Sequence, residues 1–513
     1  MQRSLVGSEM CIRDSFIIAA CSFLLTSCGL LEVKSEDKLP GDEFWIDGNA
    51  ANVEGFLMSA YSNLRKATMG SGAFLTASGD MRCASISPYN NDNEGRRVTY
   101  LAGNEMNELR NSPNTPFGET TKWKPFYEVI QTANILVKEI DQVSTLTEEE
   151  YRMFKAEAVF LRNLAYFFMV RAFGDVPYYT IAYNSASLPR TNMVTVLQSC
   201  LEDLRTGALG NSPEDRFLPW TYNSNAKKGV RASRGSVIAL MMHINLWLVQ
   251  FDEQNKTTYY QNVVDLGEQL EQNDGAYELL EISRISNVFK GGSNEGLFEI
   301  AQNINASNEV FSSIAVFSNN VVYRHKGANE NPMYYYDGSY IEKIFPYMEE
   351  DLRKSYWFDE NMYSASSVNR TEIIKFLNID YYGNNSITSN SGNQIVFRYA
   401  GALLLYAEAL AALGTNDTKA NELLNRIRHR AGASESFSSG KELQDAIFWE
   451  RQRELIGEGH YYYDLVRTGK ISNIAYCAHP IRRTDFNVGA WTWPLHRDVL
   501  KNNTNIQLNL FWE

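Results

Sequence analysis

The side chains able to do covalent or metal chemistry are few in this chain, and most lack the spacing that such chemistry needs. The six histidines, His243, His325, His429, His460, His479 and His496, are scattered with no two a helical turn apart, so no HExxH metal helix exists. No nucleophile elbow, Walker loop or dinucleotide fingerprint appears; Gly291-Gly292-Ser293-Asn294-Glu295 lacks the closing glycine that an elbow requires. Carboxylates are more plentiful. Glu349, Glu350 and Asp351 adjoin, and Glu450 and Glu454 share a helix face. Paired carboxylates are the apparatus of glycoside hydrolysis, but acidic clusters in a chain of formal charge −13 are usually solvated surface. A surface glycoside hydrolase built on a helical barrel is kept as the enzymatic alternative. Asn91, Asp92, Asn93 and Glu94 carry oxygens that suit calcium, yet they miss the spacing of an EF-hand loop, and a plain polar turn is preferred. The residues call for no cofactor and no metal.

One cysteine has a clearer context. Leu25-Thr26-Ser27-Cys28 ends an apolar run from Phe16 to Leu25. That run is about ten residues, half of what a spanning helix needs, and reads as the h-region of a signal peptide. Small residues before a cysteine suit a bacterial lipoprotein signal peptidase, which would leave Cys28 as an acylated N-terminus. The alternative is an ordinary secreted protein cleaved beside a cysteine. Met1 to Ser15 holds Glu9 and Asp14 beside Arg3 and Arg13, unlike a basic n-region; this prefix reads as foreign and is given no structural weight. The stretch 29–38 after Cys28 is polar and reads as a tether.

Length and composition set the frame. The 513 residues include 44% hydrophobic and 21% charged, ordinary for a soluble globular chain, and core size is not limiting. The acidic balance, 48 basic against 61 acidic residues, with no run of Lys and Arg, makes nucleic acid a poor partner and neutral ligands better ones. Cys11 and Cys21 would leave with the signal peptide, so Cys83, Cys200 and Cys477 remain with Cys28. They are too few for a disulfide framework, and their pairing is undecided by spacing. Aromatic residues reach 12%, with 29 tyrosines, and aromatic faces stack on sugar rings and other flat apolar surfaces.

The elements that must position any site are helical. From Tyr151 to Phe173, Phe154, Val159, Phe160, Leu164, Phe167, Phe168 and Val170 recur at helical spacing and the helix stops at Gly174-Asp175-Val176-Pro177. From Arg398 to Gly432 a helix rich in small residues turns at Gly414-Thr415-Asn416, and Asp417 or Thr418 can cap a second helix. That hairpin of about 35 residues is close to the tetratricopeptide unit. Gly229 to Val249 with Thr257 to Leu270, and Tyr151 to Phe173 with Val194 to Leu204, form similar pairs. Two stretches, 78–117 and 291–393, are rich in turn formers and do not read as helix, apart from strand-like runs such as Leu297-Phe298-Glu299-Ile300. Loops on a rigid scaffold are where binding residues collect, and the ligand site is expected there.

The densest charged stretch is Trp449 to Lys470. Glu450 and Glu454 can pair with Arg451 and Arg453, and a structural network is the expected reading. Here the chain resembles the SusD/RagB family of outer-membrane nutrient-binding lipoproteins. The resemblance rests on Phe44-Trp45 with Ala50 and Tyr61; on Trp123, Tyr127, Ile130, Ala133 and Asn134; and on Ala156-Glu157-Ala158, Leu161-Arg162, Tyr166-Phe167 and 173–177. It continues through Arg231-Ala232-Ser233-Arg234-Gly235-Ser236, Arg398-Tyr399-Ala400, Tyr406-Ala407-Glu408-Ala409, 424–432 and 450–470. His460 departs from the arginine usual after Glu-Gly, and 506–509 only approximates the usual ending.

The resemblance implies a mostly α-helical protein of four tetratricopeptide-like hairpins, with an irregular region presenting a shallow glycan site. It implies a signal peptide over 1–27, Cys28 and a tether over 28–48, and one helical domain over 49–513 with insertions near 78–117 and 291–393. The implied partner is a SusC-like TonB-dependent transporter in the outer membrane, to which the outward-facing, lipid-anchored protein would pass oligosaccharides without catalysing a reaction. The same fold binding peptides is the alternative. A sugar site needs aromatic platforms and polar groups for hydroxyls, and the loop regions offer Tyr89, Asn91, Tyr334, Tyr335, Tyr336 and Trp357. Trp123 and Trp449 match scaffold positions and are expected in the core.

Overall fold

The computed structural model describes residues 41–111, 117–210, 217–273, 275–321, 332–363, 371, 373–377, 379–382 and 387–513. Cys28, the signal peptide and the tether before residue 41 lie outside the described residues. The frame is a succession of helices: α1 (Ala50–Met69), α2 (Lys124–Glu139), α3 (Glu148–Phe173), α4 (Met193–Leu204), α5 (Arg234–Phe251), α6 (Lys256–Gln272), α7 (Tyr399–Leu413) and α8 (Asp417–Arg430). Each packs against the next in chain order. The pairs α1/α2, α3/α4, α5/α6 and α7/α8 thus stack as the four expected hairpins, and two further helices, α9 (Gly440–Glu454) and α10 (Tyr461–Arg467), close the array at its C-terminal end. Among the described residues no helix is long and apolar enough to cross a membrane.

Local signals fix the helix ends, with two corrections. Helix α3 begins a turn earlier than the apolar pattern indicates, because Thr147 Oγ1 accepts from Glu150 N–H at 3.2 Å while Glu150 Oε2 accepts from Thr147 N–H at 2.9 Å. At α8 the cap is Asn416, not Asp417 or Thr418: its Oδ1 accepts from Lys419 N–H at 3.0 Å, while Asp417 Oδ2 accepts from Gly440 N–H. Close helix contact requires glycine once in particular. A Cβ on Gly267 of α6 would lie 2.4 Å from the Tyr406 ring of α7, so only glycine lets these hairpins meet.

The expectation that 78–117 holds no helix is overturned. Asn93–Ala102 is helical because Asp92 Oδ1 accepts from Gly95 N–H at 2.8 Å, so part of the asparagine-rich run is a helix start. Among the described residues the strands form three separate antiparallel pairs: β1 (Ile86–Pro88) with β3 (Tyr334–Tyr336), β2 (Gly296–Ile300) with β6 (Gln394–Arg398), and β4 (Ile379–Tyr382) with β5 (Ile387–Asn390). Strand β6 runs straight into α7, which ties the irregular region to the last hairpin.

Charge is drawn inward to an unusual degree. Helix α3 is buried on every side from Ala156 to Phe173, Glu157, Arg162 and Arg171 included. Glu157 meets Arg231 at 2.6 Å and the Tyr61 hydroxyl at 2.5 Å; Arg162 meets Asp203 at 2.7 Å and Asn134 at 2.8 Å. A larger lattice lies where α7 begins and α8 and α9 end. Arg398 binds Glu295 at 2.7 Å, Glu454 at 2.6 Å and Glu458 at 2.7 Å; Arg353 reaches Asp351, Glu450 and Glu454; Arg430 reaches Glu295 and Glu454; and Lys375 binds Glu458 at 2.6 Å. Arg453 pairs with Glu450 at 3.0 Å as expected, whereas Arg451 turns to Asp464 at 3.0 Å.

These groups set the pH response. Burial alone would raise Glu450, but Arg353, Arg453 and Arg428 override it and push it down to about 2; Arg430, Arg398 and Arg353 likewise hold the buried Glu454 well below the carboxylate range. Their stabilisation is present above about pH 4.5 and is lost as pH falls toward 2. Glu299 behaves oppositely. Burial pushes it up to about 7 against a weaker pull from Asn393 and Gly292, so it costs stability increasingly as pH rises from about 4.5 through 7. Melting temperature should therefore fall on both sides of a maximum. Glu299→Gln should flatten the arm between about pH 5 and 8 and add about 1–3 kcal/mol at pH 8; an unchanged slope would contradict the assignment.

Candidate functional site

The β1–β3 ribbon decides which of the expected aromatic residues can meet a ligand. Its register pairs Ile86 with Tyr336, Ser87 with Tyr335 and Pro88 with Tyr334, and Tyr89 N–H donates to Met333 O at 2.9 Å, which carries the pairing one residue further. Alternate side chains of a strand face opposite ways. Tyr334 and Tyr336 turn into the core, where they meet each other and Phe317, and Tyr336 stacks on Tyr340. Tyr335 turns outward and is half-buried. Tyr89, two residues beyond Ser87, falls on the same outer face and is also half-buried. Diagonal neighbours on one face of an antiparallel pair sit roughly 7–8 Å apart, within reach of one flat ligand spanning both rings.

Three of the six expected ligand residues are therefore corrected. Tyr334 and Tyr336 are core, because the strand period gives β3 one outward tyrosine. Trp357 is core as well: it is fully buried, with the Lys375 ammonium 4.0 Å from its ring centroid and Arg353 at 5.5 Å, so the charge lattice uses its face and no ligand can. Tyr89, Asn91 and Tyr335 keep access. Asn91 is exposed in the turn between β1 and the Asn93–Ala102 helix. That turn is tight, since a Cβ on Gly95 would lie 1.8 Å from Asn90 O. Asp92 caps the helix, Asn93 accepts from Arg96, and no group of three or more metal-ligating residues occurs among the described residues. The turn leaves the Asn91 side chain exposed.

Further hydrogen bonds hold the ribbon in place. Ser87 Oγ donates to Asp337 Oδ1 at 2.7 Å, Asp337 N–H donates to Ser85 O at 3.0 Å, and Met333 N–H donates to Asn320 O at 2.7 Å. Further along the same segment lies an aromatic group that sequence reasoning missed. Tyr347 and Met348 are 70% and 89% exposed, and Tyr347 meets the half-buried Tyr363 edge-on at 5.4 Å. The Lys354 ammonium donates to the carbonyls of Pro346, Tyr347 and Glu349 and so ties this turn in place. No periodicity marks Tyr347, because its exposure follows from a lysine folding back over a non-helical turn.

The carboxylates raised as a hydrolytic pair are placed otherwise. Glu349 and Glu350 are exposed, while Asp351 binds the buried Arg353 at 2.7 Å. Glu450 and Glu454 are closed within the lattice and held ionised, the reverse of what a general acid needs. Of the scaffold tryptophans, Trp123 is buried, whereas Trp449 is half-buried, stacked on Tyr476 at 5.6 Å with Lys343 over its ring. Cys83, Cys200 and Cys477 are buried free thiols.

Comparison with known proteins agrees with this architecture. The SusD family profile matches residues 317–512, and a second profile, for starch-binding proteins associating with the outer membrane, matches residues 62–246. A solved SusD homologue from Bacteroides thetaiotaomicron is 63% identical, with a TM-score of 0.87, over 92% of this chain and 100% of that one. SusD-like protein P38 of Formosa agariphila is 25% identical over 97% of this chain and 98% of its own length. A laminarin-binding SusD-like protein shares the fold at 22% identity and a TM-score of 0.69, over 90% of this chain and 99% of that one.

The burial of Trp357 carries a prediction. Trp357→Ala should cost about 3–5 kcal/mol in chemical denaturation, while Tyr335→Ala, on the outer face, should cost under about 1.5 kcal/mol. Equal losses would contradict the inward and outward assignments.

Proposed function

The chain belongs to the SusD/RagB family, and from that membership we propose that it is a cell-surface, non-catalytic glycan-binding protein that captures oligosaccharides and passes them to a SusC-like TonB-dependent transporter. The observation that carries the reading is the outer face of the β1–β3 ribbon, where Tyr89 and Tyr335 flank a turn bearing exposed Asn91. A pyranose ring has an apolar face edged by hydroxyls, so aromatic faces supply contact area while an amide both donates to and accepts from hydroxyls. The net charge of −13 suits a neutral ligand better than a polyanion. The closed, ionised carboxylates of α9 favour binding without hydrolysis. The laminarin-binding relative makes β-1,3-linked glucans the first ligands to try.

Acylation at Cys28 would hold the protein on the outer leaflet through a short polar tether, and a tether raises the effective concentration at a transporter mouth without any new contact. Cys28→Ala should fold and bind as the parent does yet leave the outer-membrane fraction; retention there would contradict the anchor.

Calorimetric titration with laminari-, malto- and cello-oligosaccharides, and with a peptide pool in parallel, tests the central reading. Tyr89→Ala and Tyr335→Ala should each weaken oligosaccharide binding roughly tenfold, the loss of about 1.4 kcal/mol of stacking, with melting temperature little changed. Heat with peptides alone would replace the glycan by a peptide ligand, and release of reducing sugar on prolonged incubation would replace binding by hydrolysis.

A further inference from the structure

A second aromatic cleft lies outside the loop-rich region, at the start of α2. Its volume is ≈ 500 Å³, within the roughly 300–1,000 Å³ usual for ligand pockets. It shares no lining residue with the ribbon. It is lined by Trp123 and Tyr127, by Pro177 and Tyr179 from the chain after α3, and by the chain around His496 and Asn503. The rings are arranged and locked. Tyr127 and Tyr179 lie 5.9 Å apart and 4° from parallel, and Trp123 stands edge-on to Tyr127 at 5.8 Å. Tyr127 OH donates to Pro177 O at 2.7 Å; Tyr166 OH donates to Tyr179 O at 2.7 Å and accepts from Tyr179 N–H at 2.9 Å.

The polar group here is His496, only 6% exposed. Its backbone N–H donates to Thr121 O at 3.1 Å, and its ring Nδ1 is taken by Asp498, whose N–H lies 3.2 Å and whose Oδ2 lies 3.3 Å away. Nε2 is buried without a partner. If Asp498 N–H holds Nδ1, Nε2 is a donor; if Nδ1–H turns to the carboxylate, Nε2 is an acceptor. A hydroxyl, being both donor and acceptor, satisfies either tautomer. The charges at the rim are balanced: Lys122 pairs with Glu119 at 2.6 Å, Lys124 with Glu128 at 3.8 Å and Asp498 with Lys501 at 3.6 Å. Parallel aromatic rings, an orphaned imidazole edge and no net charge describe a neutral ligand with a flat apolar face and hydroxyl edges.

We infer that this cleft is a second carbohydrate site, taking one or two sugar rings against Tyr127 and Tyr179 with a hydroxyl on His496 Nε2. It rests on the glycan-binding reading of this chain but not on the ribbon. Two sites on one chain would let a long glycan or two strands be gripped at once, so that the second contact forms at high effective concentration.

The test uses the whole mature chain and the same laminari-, malto- and cello-oligosaccharide probes. The variants are Tyr179→Ala, which keeps the backbone hydrogen bonds to Tyr166, and His496→Asn, which keeps a favoured cap on the short helix Arg497–Asn502 while withdrawing the imidazole edge. In a Tyr89→Ala/Tyr335→Ala background, a residual, weaker site should remain for at least one probe. Adding either cleft substitution should weaken that residual binding at least about tenfold, with an unchanged melting temperature. Residual binding indifferent to both cleft substitutions, or absent once the ribbon is altered, would overturn the second site and leave the ribbon standing. Loss of affinity through the cleft variants alone, with the ribbon double variant unaffected, would support this site and remove the ribbon reading. No heat with any probe for the unaltered protein would overturn both.

Discussion

The fold depends on a joint made of charge. Arg398 stands where β6 becomes α7, Glu454 at the end of α9, Arg430 at the end of α8, and Glu295, Arg353 and Lys375 come from the irregular region. Their ion pairs are the point at which the helical array holds the segments that carry the ribbon. Removing ions from water is costly, and a buried pair repays that cost only when geometry and further hydrogen bonds are good; losing one partner typically costs 3–5 kcal/mol. Here every carboxylate of the lattice meets more than one cation or donor. Arg398, for instance, donates also to the Glu454 carbonyl at 2.7 Å, and Lys375 donates to the carbonyls of Glu454 and Ile456.

That joint also explains what became of the expected ligand residues. Trp357 lies against the lattice cations, so the aromatic face that suggested a sugar platform is already occupied. The tyrosine triplet shows a different limit. Three consecutive tyrosines on a strand must divide between two faces, and only the pairing with β1 says that the middle one faces out. The register is set by contacts between residues 86–88 and 334–336, which no local pattern contains. The turn that carries Tyr89 and Asn91 was legible because turn chemistry is local; the Trp123 cleft was not, since its walls come from three segments distant in the chain and one of its residues reads as an ordinary scaffold tryptophan.

Much of the scaffold was legible for the opposite reason. Capping boxes, helix stops and apolar stripes act within a few residues, so α3, α5, α6, α7 and α8 appear close to where periodicity puts them. Residues that carried the family resemblance turn out to be mutual partners. Tyr61, Glu157 and Arg231 form one buried cluster, and Asn134 with Arg162 forms part of another. The motifs are thus the polar groups that must find one another as hairpins stack. The buried pairing of Arg451 with Asp464 rather than with a neighbouring glutamate follows the same logic, since α10 brings a carboxylate that sequence spacing alone could not place there.

A rigid array, a charge joint and a hydrogen-bonded ribbon together describe a surface organised in advance of the proposed ligand, and such organisation lets a shallow site gain affinity without enclosing what it binds. A crystal structure of the protein with a bound oligosaccharide tests that account most directly. It should show sugar rings lying across Tyr335 and Tyr89 with hydroxyls toward Asn91, and the ribbon backbone unmoved. A ribbon left bare by a tightly bound glycan, or rebuilt around it, would contradict the account.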